Sequence, residues 1–99
     1  MLEFCQNNGY TCIDLNKLTM NVYNKLGEDE SKKFHMIFKE NVYQNYPEGK
    51  DDHSHLLFEG AKMICELFVS AVSLTNHPIK NCFLDLNTKY EVDQKMLID

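Results

Sequence analysis

The stretch from Leu56 to Leu74 is apolar over most of its length, and it constrains the fold more than any other feature of the chain. At about 100° per residue, its polar side chains fall within an arc of roughly 80° on a helical wheel. They are Glu59, Lys62, Glu66, Ser70 and Ser73. The pattern predicts a long central helix over about residues 54–76, buried on most of its surface and polar along one edge.

This segment is nearly long enough to cross a membrane, which takes about 20 apolar residues. The charges of Glu59, Lys62 and Glu66 lie near its middle, however, and would be costly in lipid. Because the polar groups share one edge, we interpret the segment as the central helix of a soluble domain. We therefore expect no membrane span.

An earlier helix is predicted to begin near Leu15, with Asp14 as its N-cap. Its apolar residues recur at spacings of three and four and form one stripe, as expected for a half-buried helix. They are Leu15, Leu18, Val22 and Leu26. Gly27 suits the position just after the helix, where a left-handed backbone is common.

A second helix is predicted to start within residues 28–31, where acidic side chains suit the positive end of the helix dipole. Its buried face would contain Phe34, Ile37, Phe38 and Val42, and Pro47 would close the segment. Together with the central helix this predicts a three-helix core. The expected fold is therefore mainly α, with α+β as the alternative, in a single globular domain over residues 1–99.

Both ends of the chain leave alternatives open. Asn8-Gly9 favours a short N-terminal hairpin that places Cys5 opposite Cys12, and an irregular arm is the alternative. Near the C-terminus we expect a strand over residues 82–86 and then a helix from Thr88 through Leu97. A second strand over residues 90–92 is the alternative to that helix.

The charge balance excludes some function classes. The net charge is −5 and the chain contains no arginine, so it lacks the guanidinium groups that bind phosphate and guanine bidentately. Nucleic-acid binding is therefore not expected. The four cysteines form no CxxC pair, and residues 1–5 do not resemble a signal peptide. We accordingly expect reduced thiols and a cytoplasmic protein, with Cys65 buried in the central helix.

The sharpest polar cluster is formed by Asp51, Asp52, His53 and His55. Carboxylates and imidazoles are common metal ligands, and His-x-His can bind zinc from an extended loop. The cluster predicts a metal-binding or small-ligand-binding domain. Its structural alternative is an exposed helix start, with acids near the positive helix end. We find no catalytic motif and expect neither a cofactor nor an enzyme.

The favoured functional hypothesis is a small acidic protein-binding module, such as an inhibitor, immunity or antitoxin-type protein. The central helix is apolar over about 280° of its wheel, more than two short helices readily cover. We therefore expect a protein partner, for which the negative charge favours a basic surface, or a homodimer. The candidate interaction residues are Tyr43, Tyr46, Phe58 and Val69. For the tyrosines, capping of the core is the alternative.

Overall fold

The computed structural model describes residues 1–83 and 90–98. About 54% of the described residues are helical, so the chain is mainly α with a smaller β component. The helices are α1 (Leu2–Asn8), α2 (Leu15–Leu26), α3 (Glu28–Ser31) and α4 (Phe58–Ser73), and short 3-10 helices span Lys32–Phe34, Pro78–Cys82 and Gln94–Met96. The strands are β1 (Cys12–Ile13), β2 (His35–Phe38), β3 (Lys50–Leu56) and β4 (Leu97–Ile98).

The chain groups into two compact units. The first contains residues 1–21 and 64–99, and the second contains residues 22–63. Two small antiparallel sheets accompany the helices: β1 pairs with β4 in the first unit, and β2 pairs with β3 in the second. A single domain over residues 1–99 stays a prediction.

Helix α2 confirms the first predicted helix. It begins at Leu15, where Oδ1 of Asp14 accepts the backbone N–H of Lys17 at 3.1 Å. This hydrogen bond satisfies one of the backbone donors that a helix start leaves without a partner. Leu18 is buried on the predicted stripe, and Gly27 follows the helix with φ 86°, a conformation that favours glycine.

The central helix is present as α4, but it is shorter than predicted. It spans residues 58–73, because residues 50–56 form β3 and so cannot cap a helix. Its buried apolar side chains are Met63, Leu67, Ala71 and Val72. The expected polar edge is not solvent-exposed along its whole length. Ser70 is buried, and its hydroxyl donates to the carbonyl of Glu66 at 2.8 Å. Conversely, Cys65 is exposed, so the expectation of a buried thiol is wrong.

The predicted second helix is wrong beyond its first turn, and the three-helix core is not confirmed. Helix α3 ends at Ser31, and residues 35–38 form β2, which pairs with β3. Aromatic and β-branched side chains such as Ile37 and Phe38 fit a pleated strand well. The loop that follows contains Asn41 at φ 64° and Gly49 at φ 81°. Asn41 lies within the predicted helix, and its conformation is incompatible with a continuous α-helix.

The N-terminal hairpin is also wrong. Residues 2–8 form α1, and Gly9 ends it in the left-handed conformation with φ 72°. Asn-Gly suits such a helix end as well as a hairpin turn, so the dipeptide alone could not decide between them. Strand β1 pairs with β4 at the other end of the chain, with Cys12 opposite Ile98.

The C-terminal expectations fall partly on residues 84–89, which lie outside the described residues. Most of the predicted strand over 82–86 lies among them, and Cys82, which the structure describes, ends a 3-10 helix. The predicted helix through Leu97 is wrong over residues 90–97. There, Oδ1 of Asp93 accepts the N–H of Lys95 at 2.9 Å and caps a short 3-10 helix, after which Leu97 enters β4. Residues 90–92 form no strand either. None of the described helices is both long and apolar enough to cross a membrane.

Candidate functional site

The predicted His and Asp cluster lies on an irregular part of β3. Met36 of β2 pairs with Asp52, but the neighbouring His35 pairs with Leu56. Residues 53–55 therefore have no partner in the register of β2, and we call them the looped-out segment. Strand irregularities of this kind commonly lie next to active sites, because they re-aim side chains that a regular strand would fix.

Asp52 closes the looped-out segment onto itself through three hydrogen bonds. Its Oδ1 accepts the backbone N–H groups of Ser54 at 2.8 Å and His55 at 3.0 Å. Its Oδ2 lies 2.7 Å from Nδ1 of the His55 ring. The side chain of Asp52 is only 22% exposed, whereas that of His55 is 76% exposed. The carboxylate is thus fixed in place, and the imidazole extends from it towards solvent.

These hydrogen bonds determine the charge of Asp52 and the tautomer of the neutral His55 ring. The N–H of His55 contributes most, followed by the N–H of Ser54 and the His55 ring, and together they lower the pKa of Asp52 to about 2. Asp52 is therefore an ionised acceptor near neutral pH. Since an ionised carboxylate can only accept, Nδ1 of His55 must carry the hydrogen of this bond. In the neutral ring, Nε2 then carries a free lone pair.

The neighbouring pair of Asp51 and His53 differs in the ring atom that it uses. Oδ1 of Asp51 lies 2.8 Å from Nε2 of His53, and the side chains are 81% and 64% exposed. In a Ser-His-Asp triad the carboxylate binds Nδ1, and Nε2 faces the nucleophile. Of these two histidines, His55 has that arrangement and His53 has its reverse.

The four residues predicted to bind a metal thus lie together on β3 but form two separate pairs. In residues 1–83 and 90–98, no group of three or more His, Cys, Asp or Glu side chains is arranged to hold a metal ion. The metal-binding function stays a prediction. The structural alternative, an exposed helix start, is wrong, because the cluster lies on a strand that precedes α4.

The predicted interaction residues differ in their contacts and in their exposure to solvent. The rings of Tyr43 and Tyr46 make edge contacts with the ring of Phe38, at centroid distances of 4.6 and 5.8 Å. Phe58, at the start of α4, is 76% exposed, whereas Val69 is half-buried. Phe58 is therefore the residue of this set with the most accessible apolar surface.

Sequence reasoning missed a second polar pair in the same unit. The Tyr23 hydroxyl lies 2.7 Å from Nε2 of His35, and burial raises the pKa of Tyr23. Nδ1 of His35 is also buried and has no hydrogen-bond partner among the described residues. No local motif joins positions 23 and 35, so only the fold, which brings Tyr23 of α2 to His35 of β2, reveals this contact. For Asp52 and His55, the D-x-x-H spacing was visible but its geometry was not.

Comparison with known proteins gives one informative similarity. The chain is 30% identical over 80 residues to rhamnogalacturonan acetylesterase RhgT of Bacillus subtilis strain 168. The match covers 81% of this chain and 34% of the esterase, so the chain spans about a third of that relative's length. A match of 80 residues in a chain of 99 necessarily includes positions 20–80, and hence Asp52 and His55. No protein-family profile and no solved structure matches the chain.

Proposed function

We propose that Asp52 and His55 are the orienting carboxylate and the general base of an ester hydrolase. The observation that carries the proposal is the 2.7 Å contact between Oδ2 of Asp52 and Nδ1 of His55. It leaves Nε2 without a hydrogen-bond partner in residues 1–83 and 90–98. The similarity to an acetylesterase supports acyl transfer as the class of reaction.

In the proposed reaction, Nε2 of the neutral His55 ring accepts a proton from a hydroxyl or thiol group as that group attacks the ester carbonyl. The imidazolium that forms is stabilised by Asp52, which remains ionised because its pKa is about 2. The imidazolium then gives its proton to the departing alcohol. Water, deprotonated by the same ring, then attacks the acyl intermediate. The acid is released, and the ring returns its proton to the nucleophile.

We assign the nucleophile to a further polypeptide segment for two reasons. No hydroxyl or thiol group in residues 1–83 and 90–98 forms a hydrogen bond with Nε2 of His55. In addition, about two thirds of the acetylesterase has no counterpart in this chain. The proposed contribution of the chain is therefore the base and its orienting carboxylate, with acyl esters such as acetyl esters as substrates.

The reactivity of Nε2 tests this proposal without the missing nucleophile. Free imidazole attacks the activated ester 4-nitrophenyl acetate directly, so nitrophenolate release reports an accessible, unprotonated ring nitrogen. Exposed thiols such as that of Cys65 also react with this ester, so the rates are compared after the exposed cysteines have been alkylated. We then expect His55→Gln to remove most of the protein's rate above background, and Asp52→Asn to lower it. The matched variant His53→Gln should keep most of that rate. A His55→Gln rate equal to that of the wild type would contradict the proposal.

A second proposal is that Phe58 belongs to a protein-binding surface, as expected for a binding module. Its 76% exposure is unusual for a large aromatic side chain, and it lies three residues after His55. A polypeptide that supplies the nucleophile would cover it. Light scattering on the wild type and on Phe58→Ser tests the homodimer form of this proposal. A strict monomer at high concentration would contradict that form.

A further inference from the structure

The second unit contains a cavity of about 470 Å³, and His53 of the looped-out segment forms part of its wall. The remaining wall comes from α2, α3, the 3-10 helix after it, and β2. Small-molecule sites typically enclose about 300–1,000 Å³ and combine apolar walls with a few polar groups. The cavity has the size of such a site.

The polar groups of the wall include both donors and acceptors. Asn24 contributes an amide, Glu28 a carboxylate and Lys32 an ammonium group. The contact between Lys32 and Glu28 is long, at 4.0 Å, and the carboxylate is 89% exposed. Ion pairs this exposed hold their partners weakly, so both groups remain available to a ligand. Their opposite charges also favour a ligand without net charge.

The aromatic part of the wall supplies an independent observation. Tyr23 and His35 both line the cavity, and the Tyr23 hydroxyl lies within hydrogen-bond distance of Nε2 of His35, at 2.7 Å. Nδ1 of the same ring is buried and has no hydrogen-bond partner among the described residues. A buried polar atom without a partner is uncommon in folded proteins, and an ordered water beside the cavity wall is one of the standard explanations.

We propose that this cavity binds the alcohol part of the ester, as a neutral ring that carries several hydroxyl groups, such as a pyranoside. Hydroxyl groups both donate and accept, which matches Asn24, Glu28 and Lys32, and the C–H face of a sugar ring packs well against an aromatic ring such as Tyr23. His53 is two residues from His55, so at most about 7 Å of chain separates them. The backbone of His55 therefore lies close to the cavity wall, which is the placement that an ester group on the bound ring requires.

This inference rests on the proposed hydrolase function, and titration with methyl α-D-glucopyranoside tests it separately. Amide chemical shifts in the 15N-labelled full chain should change at Asn24, Glu28 and Lys32. Asn24→Leu and Lys32→Met should each weaken binding about tenfold, the loss expected for one hydrogen bond. The matched control Lys25→Met changes a neighbouring exposed residue outside the cavity wall and should bind like the wild type.

The variant His55→Gln separates the cavity proposal from the hydrolase proposal. It should keep the glycoside-induced chemical shift changes and lose the ester reactivity that depends on His55. Shifts that are absent, or that fall outside the cavity residues, overturn the cavity proposal and leave the hydrolase proposal standing. Cavity shifts in a protein whose ester reactivity does not depend on His55 overturn the hydrolase proposal instead. Equal affinity in Asn24→Leu, Lys32→Met and the wild type overturns the assignment of the polar wall.

Discussion

A methyl group on Gly60 would overlap the backbone carbonyl oxygen of Phe34. That same carbonyl accepts the N–H of Leu57 at 2.9 Å, so it cannot move away without breaking a hydrogen bond. Gly60 is buried in the first turn of α4, and its lack of a side chain allows the chain before β2 to approach this closely.

We therefore expect Gly60→Ala to destabilise the protein, although alanine favours helices by about 1 kcal/mol over glycine. The overlap should cost about 1–3 kcal/mol in addition to cancelling that gain. Urea unfolding measures the difference. Glu59→Ala, at the exposed neighbouring position, is the control and should change stability by no more than about 0.5 kcal/mol. A Gly60→Ala protein as stable as the wild type would show that the two segments are not this close.

The ring tautomer of His55 can be measured directly. Because ionised Asp52 accepts from Nδ1, the neutral His55 ring should carry its hydrogen on Nδ1, with Nε2 as the unprotonated nitrogen. Nitrogen-15 shifts at pH 8 distinguish the two forms. His77 is an internal reference of the opposite kind, because its Nδ1 accepts the N–H of Ile79 at 3.1 Å.

If His55 and His77 have the same tautomer, the contact between Asp52 and His55 is absent in solution. Asp52→Ala should remove the preference of the His55 ring for the Nδ1-protonated tautomer and leave the tautomer of His77 unchanged. Since an Nε2 hydrogen would occupy the lone pair that the proposed base requires, this measurement bears directly on function.

Asp52 should also make stability depend on pH in a defined window. Its folded-state pKa of about 2 lies below the ordinary value of 3.8, so ionised Asp52 stabilises the folded state. This contribution is fully present above pH 3.8 and is lost as the pH falls through about 2. The stability difference between the wild type and Asp52→Asn should be constant above about pH 5 and shrink between about pH 4 and 2.

Unfolding of Asp51→Asn over the same pH range is the matched control. Asp51 accepts a single hydrogen bond, from a side chain, and is 81% exposed. Its stability difference from the wild type should be smaller. A constant difference for Asp52→Asn from pH 6 to pH 2 would mean that its pKa is not lowered.

Asp14, the N-cap of α2, should contribute to the stability of the protein. Asp14→Ala removes the acceptor for the N–H of Lys17 and should cost about 1 kcal/mol in free energy of unfolding. Asp14→Asn keeps a capping oxygen and removes the charge that lies 3.9 Å from the Lys17 ammonium. Urea unfolding should therefore place Asp14→Asn near the wild type. If both variants lose equal stability, the charge rather than the cap matters.

The structure confirms two helices whose signals are local. Helices α2 and α4 were predictable because their apolar spacing, and the cap at Asp14, are contained within each segment. The β2–β3 pair was not, because its hydrogen bonds join residues 35–38 to residues 50–56. Periodicity within either segment does not contain that pairing, and the mixed apolar run after Phe34 satisfies a helical pattern as well.

The candidate site was predictable in composition but not in role. Asp51, Asp52, His53 and His55 stood out by residue type alone. The role of each depends on which ring nitrogen meets a carboxylate, and the looped-out register of β3 determines that. The cavity wall was beyond prediction, since α2, α3, β2 and β3 each contribute only part of it.

The looped-out segment has one more consequence. Only two residues separate Asp52 from His55 in the chain. The hydrogen bonds that orient the His55 ring all lie within residues 52–55. Their mutual geometry therefore requires no loop closure over long distances and can form early in folding. A short insertion of these residues into another antiparallel hairpin should carry the carboxylate and the imidazole with it as one portable unit.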